Sequence, residues 1–402
     1  MDIGRFRLSD APADFVDDPY PYYAALRKHD PVHEMESGSG AASYFVSRYD
    51  DVVAVYRLAA ASSDKKIEFK PKFGDSPLYE HHTTSLVFND PPLHTRVRSL
   101  IMGALNQRAI ARMERGVWDL VNQLIDALPH EEPFDFIEAF AAQIPVEVIG
   151  NLLDIPKDHR GPLRGWSTAI LSGLEPRPSA EMLERGNRAV SNFTDYLARL
   201  VEERRKTPGD PDTDVLTRLV QDKTVSALEL YHNCIFLLNA GHETTTNLIG
   251  NGLWLLLSHE EQLERLRTEP ALIPSAVEEM LRYEGPIQLN NRRLTAPIEL
   301  SGKPIAEGTF ITLGIGAANR DPRQFPDAER FDVARKPNRH VAFGHGDHAC
   351  AGMNVARMEA RIALSRLLQR ISRLEPGGPA ERDRRIRFRG FRKLPLRVEV
   401  DA

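Results

Sequence analysis

The sequence predicts a mainly α-helical protein with a few small β-sheets. Apolar residues recur at i, i+3, i+4 and i+7 along most of the 402 residues, which is typical of amphipathic helices. Runs that alternate between apolar and polar residues are few and short. The sequence contains no internal repeat and no low-complexity tract, so the chain is neither a solenoid nor a disordered linker.

Nine stretches carry the helical spacing, and some have capping residues at their ends. Ser226 and Glu229 match a capping box at the start of the longest stretch, while Pro274 and Gly285 bracket a shorter one. The longest stretch would extend for nearly 50 Å at about 1.5 Å per residue, enough to cross the molecule. The predicted helices cover residues 19–29, 92–105, 109–128, 145–153, 181–206, 226–258, 259–268, 274–284 and 352–371.

Strand signals are confined to short segments rich in β-branched and aromatic residues. One of these segments has the pattern of a hairpin, and another strand follows it directly. The predicted strands lie at 43–47, in the hairpin 297–305, at 309–312 and at 394–400.

Composition and charge exclude several classes of protein. The net charge of −5 comes from interspersed signs, so there is no basic patch for nucleic acid. The two cysteines lack paired spacing, which argues against a disulfide framework and favours a reducing compartment. The most apolar stretch, 234–257, is too polar for lipid, and the first residues lack the apolar core of a secretory signal. We expect one domain over residues 1–402, cytoplasmic, monomeric and without membrane contact.

The segment around Cys350 combines a thiol with residues that let the backbone approach a flat ring. A cysteine thiolate is an axial ligand of haem iron that favours O–O cleavage. Gly346 and Gly352 lack a Cβ, so the backbone can pass close to a macrocycle and turn around the sulfur. The helical spacing of 352–371 places Cys350 at a helix N-terminus, where the dipole stabilises a thiolate. The alternative is a small buried core cysteine.

The spacing Phe-x-x-Gly-x-His-x-Cys-x-Gly over residues 343–352 closely resembles the haem-binding loop of the cytochrome P450 family. The resemblance implies the cytochrome P450 fold, haem b as the cofactor and Cys350 as the protein ligand of its iron. It also assigns Phe343, His348 and Gly352 to the haem site. Further motifs extend the resemblance from about residue 90 to the end, and a chain without an anchor resembles the bacterial type.

The centre of the longest predicted helix is unfavourable for a helix. Residues 240–245 read Ala-Gly-His-Glu-Thr-Thr, with one glycine and two β-branched threonines. Ala240 and Gly241 would leave room for a bound diatomic molecule. Thr244 can bond back to a carbonyl, and Glu243 can relay protons. The segment is similar to the distal-helix signature of cytochromes P450, which implies that Glu243 and Thr244 form the proton-delivery pair. A solvated surface helix is the alternative.

Glu279 and Arg282 lie three residues apart in the predicted helix 274–284. By itself an i,i+3 ion pair is a common surface feature. In the family the same Glu-x-x-Arg pair is buried and bound to a further arginine, and Arg330 matches that third position. The resemblance therefore gives Glu279, Arg282 and Arg330 a structural role.

Two haem propionates need cationic or hydrogen-bonding partners. His94 and Arg98 lie at i,i+4 on one predicted helix face and match the family's propionate ligands. Arg292 and His348 match two further positions, although each of these groups alone reads as an ordinary surface charge. Arg293 leaves the register ambiguous, and Arg292 is preferred because Arg-x-Leu-Thr matches the family spacing.

Four residues are predicted to face the substrate. Phe236 and Asn239 share one face of the long helix, and Gln288 and Leu289 follow Pro286 where the family's chain lines the pocket. We predict that Phe236 packs on hydrocarbon, and that Asn239 with Gln288 orients a polar group of a small organic substrate. The alternative is that Asn239 bonds only to backbone or water.

The resemblance implies a monooxygenase, which inserts one atom of O₂ into the substrate and reduces the other to water. Because the chain has neither a Gly-rich dinucleotide loop nor a four-cysteine iron–sulfur run, electrons would come from separate proteins. Two alternatives are a peroxide-driven peroxygenase, which would not need Glu243 and Thr244, and a haem-thiolate sensor or carrier. We expect a ferredoxin, reduced by an NAD(P)H-dependent ferredoxin reductase, to dock over Cys350 on a ring of arginines, among them Arg96, Arg108, Arg339 and Arg357.

Overall fold

Helices dominate the computed structural model of the protein, which describes residues 3–35, 42–129, 132–212 and 214–400. All nine predicted helices are present, and their ends lie within two residues of the predicted ones. The α-helices are α1 (Ala13–Asp17), α2 (Tyr20–His29), α3 (Tyr49–Arg57), α4 (Lys66–Phe73), α5 (Pro77–Thr84), α6 (Leu93–Ala104), α7 (Gln107–Asp126), α8 (Gln143–Leu152), α9 (Leu163–Ser172), α10 (Ala180–Lys206), α11 (Val215–Gln221), α12 (Ala227–Ser258), α13 (Glu260–Thr268), α14 (Ile273–Tyr283), α15 (Ile315–Asn319) and α16 (Met353–Arg370).

The helices that the sequence did not predict have at most ten residues each: α1, α3, α4, α5, α9, α11 and α15. Helices of this length are marginal in water on their own and depend on tertiary packing. Helix α4 even contains Pro71 in its last turn. A periodic apolar pattern over so few residues is too weak to indicate a helix.

The strands form four small sheets, and the largest has five strands in the order β1-β2-β8-β5-β3. Strands β2 and β8 are parallel in it, with Ser43 opposite Phe310, and its other pairs are antiparallel. The strands are β1 (Val32–Met35), β2 (Ser43–Val46), β3 (Ala61–Ser62), β4 (Phe134–Asp135), β5 (Leu289–Leu294), β6 (Ile298–Leu300), β7 (Lys303–Ile305), β8 (Phe310–Gly314), β9 (Ile371–Pro376), β10 (Glu381–Arg382), β11 (Phe391–Lys393) and β12 (Pro395–Val400).

The predicted strand segments are confirmed as β2, the hairpin β6–β7, β8 and β12. Strand β5, which the sequence did not predict, lies inside the largest sheet between β8 and β3. Its residues Leu-Asn-Asn-Arg-Arg-Leu include four consecutive polar side chains, so the alternation typical of a strand is absent. Pairing on both edges makes it a strand, and it leads the chain to the site described below.

Helix α12 is the central element of the helical part. Its capping box is present: the Glu229 N–H donates to Ser226 Oγ at 3.2 Å, and the Ser226 N–H donates to Glu229 Oε2 at 2.8 Å. The helix has 32 residues, about 48 Å, and packs against α8, α9, α10, α14 and α16. Most of its side chains are buried, among them four asparagines and two histidines. In the described ranges, no helix combines the length and apolar character needed to cross a bilayer.

Candidate active site

A cavity of about 310 Å³ lies between α12 and the loop that carries Cys350. Its walls come from α5, α6, α12, β5 and the start of α16, and most of its lining is apolar. Most of the residues that the sequence assigned to the site meet here. Those that line the cavity are His94, Arg98, Phe236, Asn239, Ala240, Gly241, Thr244, Leu289, Phe343, His348, Cys350 and Gly352.

The loop before α16 holds Cys350 by its backbone. The Cys350 N–H donates to the carbonyl of Phe343 at 2.9 Å. Gly346 has a φ of +70°, and a Cβ there would lie 2.8 Å from the carbonyl oxygen of Tyr56. Only glycine fits that turn. A Cβ on Gly352, in contrast, would meet no atom within 4 Å, so the space beside this residue is open.

The thiol of Cys350 lies among groups that stabilise a thiolate. Burial raises the pKa of this thiol above its ordinary value, while the N–H of Gly352 and the charges of Arg98 and Arg357 lower it. Cys234, the other cysteine, is fully buried on α12 and does not line the cavity. The two cysteines therefore differ in the way the sequence predicted, because only Cys350 faces the open space.

His94 and His348 stack face to face at one end of the cavity, with ring centroids 3.9 Å apart. Neither nitrogen of His94 has a hydrogen-bond partner in the described part of the chain. Burial lowers the pKa of His348 to about 3, and the neighbouring charges of Arg98 and Arg292 add to this shift. This end of the cavity is therefore rich in hydrogen-bond donors and in positive charge.

Arg292 is buried beside this end but does not itself line the cavity. Its guanidinium lies over the ring of Tyr56 and donates to the carbonyl of Asn291 at 2.9 Å. Arg293, one residue on, is only partly buried. Arg292 thus occupies the buried face of β5, the register that the sequence favoured, and its role as a propionate ligand stays a prediction.

Helix α12 continues through residues 240–245 without a break. The Thr244 hydroxyl donates to the carbonyl of Ala240 at 2.7 Å, the back-bonding expected from the sequence. A Cβ on Gly241 would lie 2.5 Å from Cδ1 of Ile149. The glycine therefore lets α8 pack closely on α12, in addition to leaving space beside the cavity.

Glu243 is buried next to Thr244 but is not part of the cavity lining. One of its oxygens is ion-paired with Arg385, and the other has no hydrogen-bond partner among the described residues. Arg385 also contacts Asp383, with 2.5 Å between Nε and Oδ2, and burial raises the pKa of Asp383 to about 6. No local pattern in the sequence linked Arg385 to the acid, because 142 residues separate them.

Glu359 is a buried carboxyl that the sequence did not single out. It lies on α16, lines the cavity and is hydrogen-bonded to Thr245 on α12. Burial raises its pKa to about 8, so this carboxyl is protonated at neutral pH. The sequence does contain a signal for this buried acid, because Glu359 lies on the apolar face of the predicted helix 352–371.

The structural role of Glu279 and Arg282 rests on a fully buried ion pair, with Nε and Oε2 2.7 Å apart. The prediction of Arg330 as the third member is wrong. Arg335 pairs with Glu279 instead, with 3.1 Å between Nε and Oε1. The Arg330 side chain is exposed, and this residue contributes only its carbonyl, which accepts from Arg282 at 3.1 Å. The turns after β8 carry Arg335, not Arg330, back to the helix.

The four predicted substrate residues divide into two groups. Phe236, Asn239 and Leu289 line the cavity. The prediction for Gln288 is wrong, because its buried amide donates to the carbonyl of Gly285 at 2.8 Å and packs against Gly316, outside the cavity lining. Gln288 lies just before β5, whereas Leu289 is the first residue of that strand and lines the cavity.

Two of the four arginines expected to attract a ferredoxin are neutralised within the protein. Arg96 is ion-paired with Glu229, and Arg357 forms a bidentate pair with Glu278 at 2.7 Å for each contact. Arg108 and Arg339 are exposed.

These features fit a flat macrocycle that carries two carboxylates and a metal. The thiol of Cys350 and the open space at Gly352 suit the metal and the ring, while Arg98 and the unpartnered nitrogens of His94 suit the carboxylates. The fold and this site define a haem-thiolate protein.

Comparison with known proteins identifies the family. The cytochrome P450 family model matches residues 176–398. The cytochrome P450 monooxygenase PikC of Streptomyces venezuelae is 36% identical, over 96% of this chain and 92% of that protein. The structure of P450BioI in complex with an acyl carrier protein ligated to hexadec-9Z-enoic acid superposes with a TM-score of 0.91 and 32% identity, covering 96% of this chain and 100% of that one. The chain belongs to the cytochrome P450 family.

A second solved structure, that of CYP109E1 from Bacillus megaterium in complex with testosterone, has a TM-score of 0.85 and 31% identity over 96% of this chain and 99% of that chain. Membership of the family confirms the predicted fold and cofactor, a haem whose iron is ligated by a thiolate. The protein is a monooxygenase that uses O₂ to oxidise a small organic substrate.

Proposed function

We propose that this cytochrome P450 hydroxylates a largely apolar organic molecule that carries one polar group. The observation that carries this proposal is the cavity itself: between Thr244 and Cys350 its lining is mostly apolar, yet Asn239 is part of it. Of the two solved structures described above, that of P450BioI holds a fatty-acyl chain and that of CYP109E1 holds a steroid, which are molecules of this kind. We place Phe236 and Leu289 against the hydrocarbon part and Asn239 near the polar group.

In this proposal Cys350 holds the haem iron, and His94, Arg98, Arg292 and His348 bind the propionates. When bound, haem supplies the reduction of O₂ and the transfer of one oxygen atom to the substrate. The chain's own residues exclude water, orient the substrate and move protons. The Thr244 hydroxyl donates a hydrogen bond towards the oxygen-binding space once it leaves the Ala240 carbonyl.

Glu243 supplies the protons in this proposal. Its side chain must turn from Arg385 towards Thr244 to do so, since its carboxylate is outside the cavity lining. The unpartnered second oxygen of Glu243 favours such a movement, because a buried carboxylate oxygen without a donor is costly. Arg385 and Asp383 then connect Glu243 with the partly exposed edge of the β10 hairpin.

We propose further that a ferredoxin, kept reduced by an NAD(P)H-dependent ferredoxin reductase, supplies the electrons. Arg108 and Arg339 remain exposed, and the exposed Arg115 follows Arg108 on α7. A local cluster of positive charge steers an acidic partner even when the net charge is negative. Reduction by a ferredoxin should slow steeply as salt rises, and Arg108→Glu should slow it at low salt. Salt-independent reduction would contradict the proposal.

Reconstitution of the enzyme with its electron-transfer partners tests the activity. With ferredoxin, reductase and NAD(P)H the enzyme should form product, whereas hydrogen peroxide alone should support far slower turnover. Faster turnover with peroxide would instead favour a peroxygenase. We also propose that the chain is a single catalytic domain, which the coverage of its relatives supports, and that it is monomeric and cytoplasmic. Two cysteines that form no disulfide favour a reducing compartment.

A further inference from the structure

Four side chains that line the cavity have buried polar atoms without a hydrogen-bond partner in the described residues: His82, His94, Asn239 and Glu359. His94 belongs to the end of the cavity proposed for the propionates. Glu359 has one partner, Thr245. His82 and Asn239 are left with unused hydrogen-bonding capacity in a mostly apolar space, and leaving such buried groups unpaired is unfavourable.

Asn239 is held in one orientation by His81. The Asn239 Nδ2 lies 3.3 Å from His81 Nε2, and both residues are almost fully buried. An amide N–H that donates to Nε2 requires the His81 proton to be on Nδ1, the nitrogen that lies 3.5 Å from Ser85 Oγ. The Asn239 oxygen is then the atom without a partner, and it offers an acceptor to whatever fills the cavity.

His82 lies in a box of aromatic rings. The rings of Phe69, Phe73 and Phe88 surround it at centroid distances of 5.6, 5.4 and 5.4 Å. None of these rings can pair with its two nitrogens. Burial and the nearby charges of Lys72, His232 and Arg387 lower the pKa of His82 to about 3. The ring is therefore neutral at physiological pH and offers one donor and one acceptor.

The two groups belong to one patch of the cavity wall. The ring centroid of His82 is 4.9 Å from that of His81, which itself bonds to Asn239. The three buried histidines here, His81, His82 and His232, do not form a metal-binding cluster in the described part of the structure. All three residues of the patch, His81, His82 and Asn239, line the cavity, so an organic ligand in the cavity can reach it.

The chemistry of that partner follows from the two free groups. A hydroxyl can donate its one hydrogen to the Asn239 oxygen and at the same time accept a hydrogen bond from the N–H of the neutral His82. A carboxylate can only accept, so it would face the Asn239 oxygen unfavourably. The guanidinium of Arg387, which also lines the cavity, already donates to the carbonyls of Leu174 and Leu289 and to the side chain of Asn291.

We propose that His82 and Asn239, with His81 as a positioning residue, form a subsite that binds a hydroxyl group of the substrate. The subsite selects alcohols over the matching hydrocarbons and carboxylic acids. This inference rests on the proposed function, because it assigns the polar group of that substrate a place. A site built to satisfy a hydroxyl discriminates strongly against an analogue that lacks it.

The test uses the holoenzyme and three probes of equal carbon number: cyclododecanol, cyclododecane and dodecanoic acid. Binding is measured by the spin-state shift of the ferric Soret band. Wild-type enzyme should bind cyclododecanol at least tenfold more tightly than either of the other probes. His82→Phe and Asn239→Leu should each abolish that preference by weakening the alcohol about tenfold, while the affinity for cyclododecane changes less than twofold.

Three further variants separate the roles. Phe88→Leu alters the same aromatic box without removing a polar atom, so it should weaken the alcohol and the hydrocarbon alike. His82→Gln keeps a donor and an acceptor and should retain part of the preference. His81→Phe should reduce the preference for the alcohol while the affinity for cyclododecane changes less than twofold, because it removes the hydrogen bond to Asn239 and keeps an aromatic ring in the cavity wall.

The outcomes distinguish the subsite from the proposed function. Every variant should keep the red-shifted Soret band of a reduced, carbon monoxide-bound thiolate haem. Wild-type enzyme that forms no product with intact redox partners would contradict the proposed function. If wild type shows no preference for the alcohol, or binds none of the probes, the subsite is overturned. Equal losses of both probes in His82→Phe and Asn239→Leu would overturn it as well.

Discussion

Replacement of Arg335 by Met is predicted to destabilise the protein far more than replacement of Arg330 by Met. The two arginines lie five residues apart, and both substitutions remove a charge and keep a flexible apolar side chain. Arg335 pairs with the fully buried Glu279, whereas the Arg330 side chain is exposed. The pair of variants therefore tests which arginine completes the buried ion cluster.

The magnitude follows from the contacts of each side chain. At 3.1 Å and an effective dielectric constant of about 20, the pair of Arg335 and Glu279 gains about 5 kcal/mol before the cost of desolvation. Arg335 also donates to three backbone carbonyls, those of Pro326, Asp327 and Arg330. Glu279 keeps Arg282 in the variant, so the loss should be near the lower end of the 3–5 kcal/mol range for a broken buried pair, about 3 kcal/mol.

Urea unfolding of the holoenzyme, followed by the Soret band and by far-ultraviolet circular dichroism, measures the effect. Arg335→Met should lower the free energy of unfolding by about 3 kcal/mol, and Arg330→Met should change it by no more than about 0.5 kcal/mol. Comparable losses in both variants, or a negligible loss for Arg335→Met, would refute the assignment of the third arginine.

Three further predictions concern the site. Cys350→His should lose the thiolate-type Soret band of the reduced, carbon monoxide-bound enzyme, while Cys234→Ser keeps it; the reverse result would exclude Cys350 as the ligand. Thr244→Ala should leave substrate-induced spin shifts nearly intact but divert reducing equivalents into hydrogen peroxide, which an NAD(P)H-to-product ratio equal to that of wild type would disprove. Burial raises the pKa of the Glu359 carboxyl from 4.5 to about 8, so the folded state binds its proton more tightly than the unfolded state does. The free energy of unfolding of wild type should therefore fall by about 1.4 kcal/mol per pH unit between those two values. Glu359→Gln should abolish this decline. Unfolding free energies measured from pH 5 to 8 that decline equally in both proteins would contradict it.

The sequence alone was sufficient for features encoded within a few turns of chain. The loop around Cys350 depends on glycines at fixed offsets, and Gly346 does adopt the positive φ that only glycine tolerates readily. The capping box of Ser226 and Glu229 and the back-bonding of Thr244 are equally local. Long amphipathic helices were predicted within two residues because their apolar spacing repeats many times.

The tertiary structure decided every feature that depends on partners distant in sequence. Arg330 and Arg335 are both plausible from spacing, but the path of the chain brings only the second to Glu279, 56 residues away. Gln288 is held just before β5 by backbone hydrogen bonds with the distant Arg387 and Ile315, which no local pattern indicates. The contacts of Arg385 with Glu243 and of His81 with Asn239 arise from the packing of separate elements. A local pattern specifies backbone geometry, whereas the neighbours of a buried polar group are set by which distant segments pack against it.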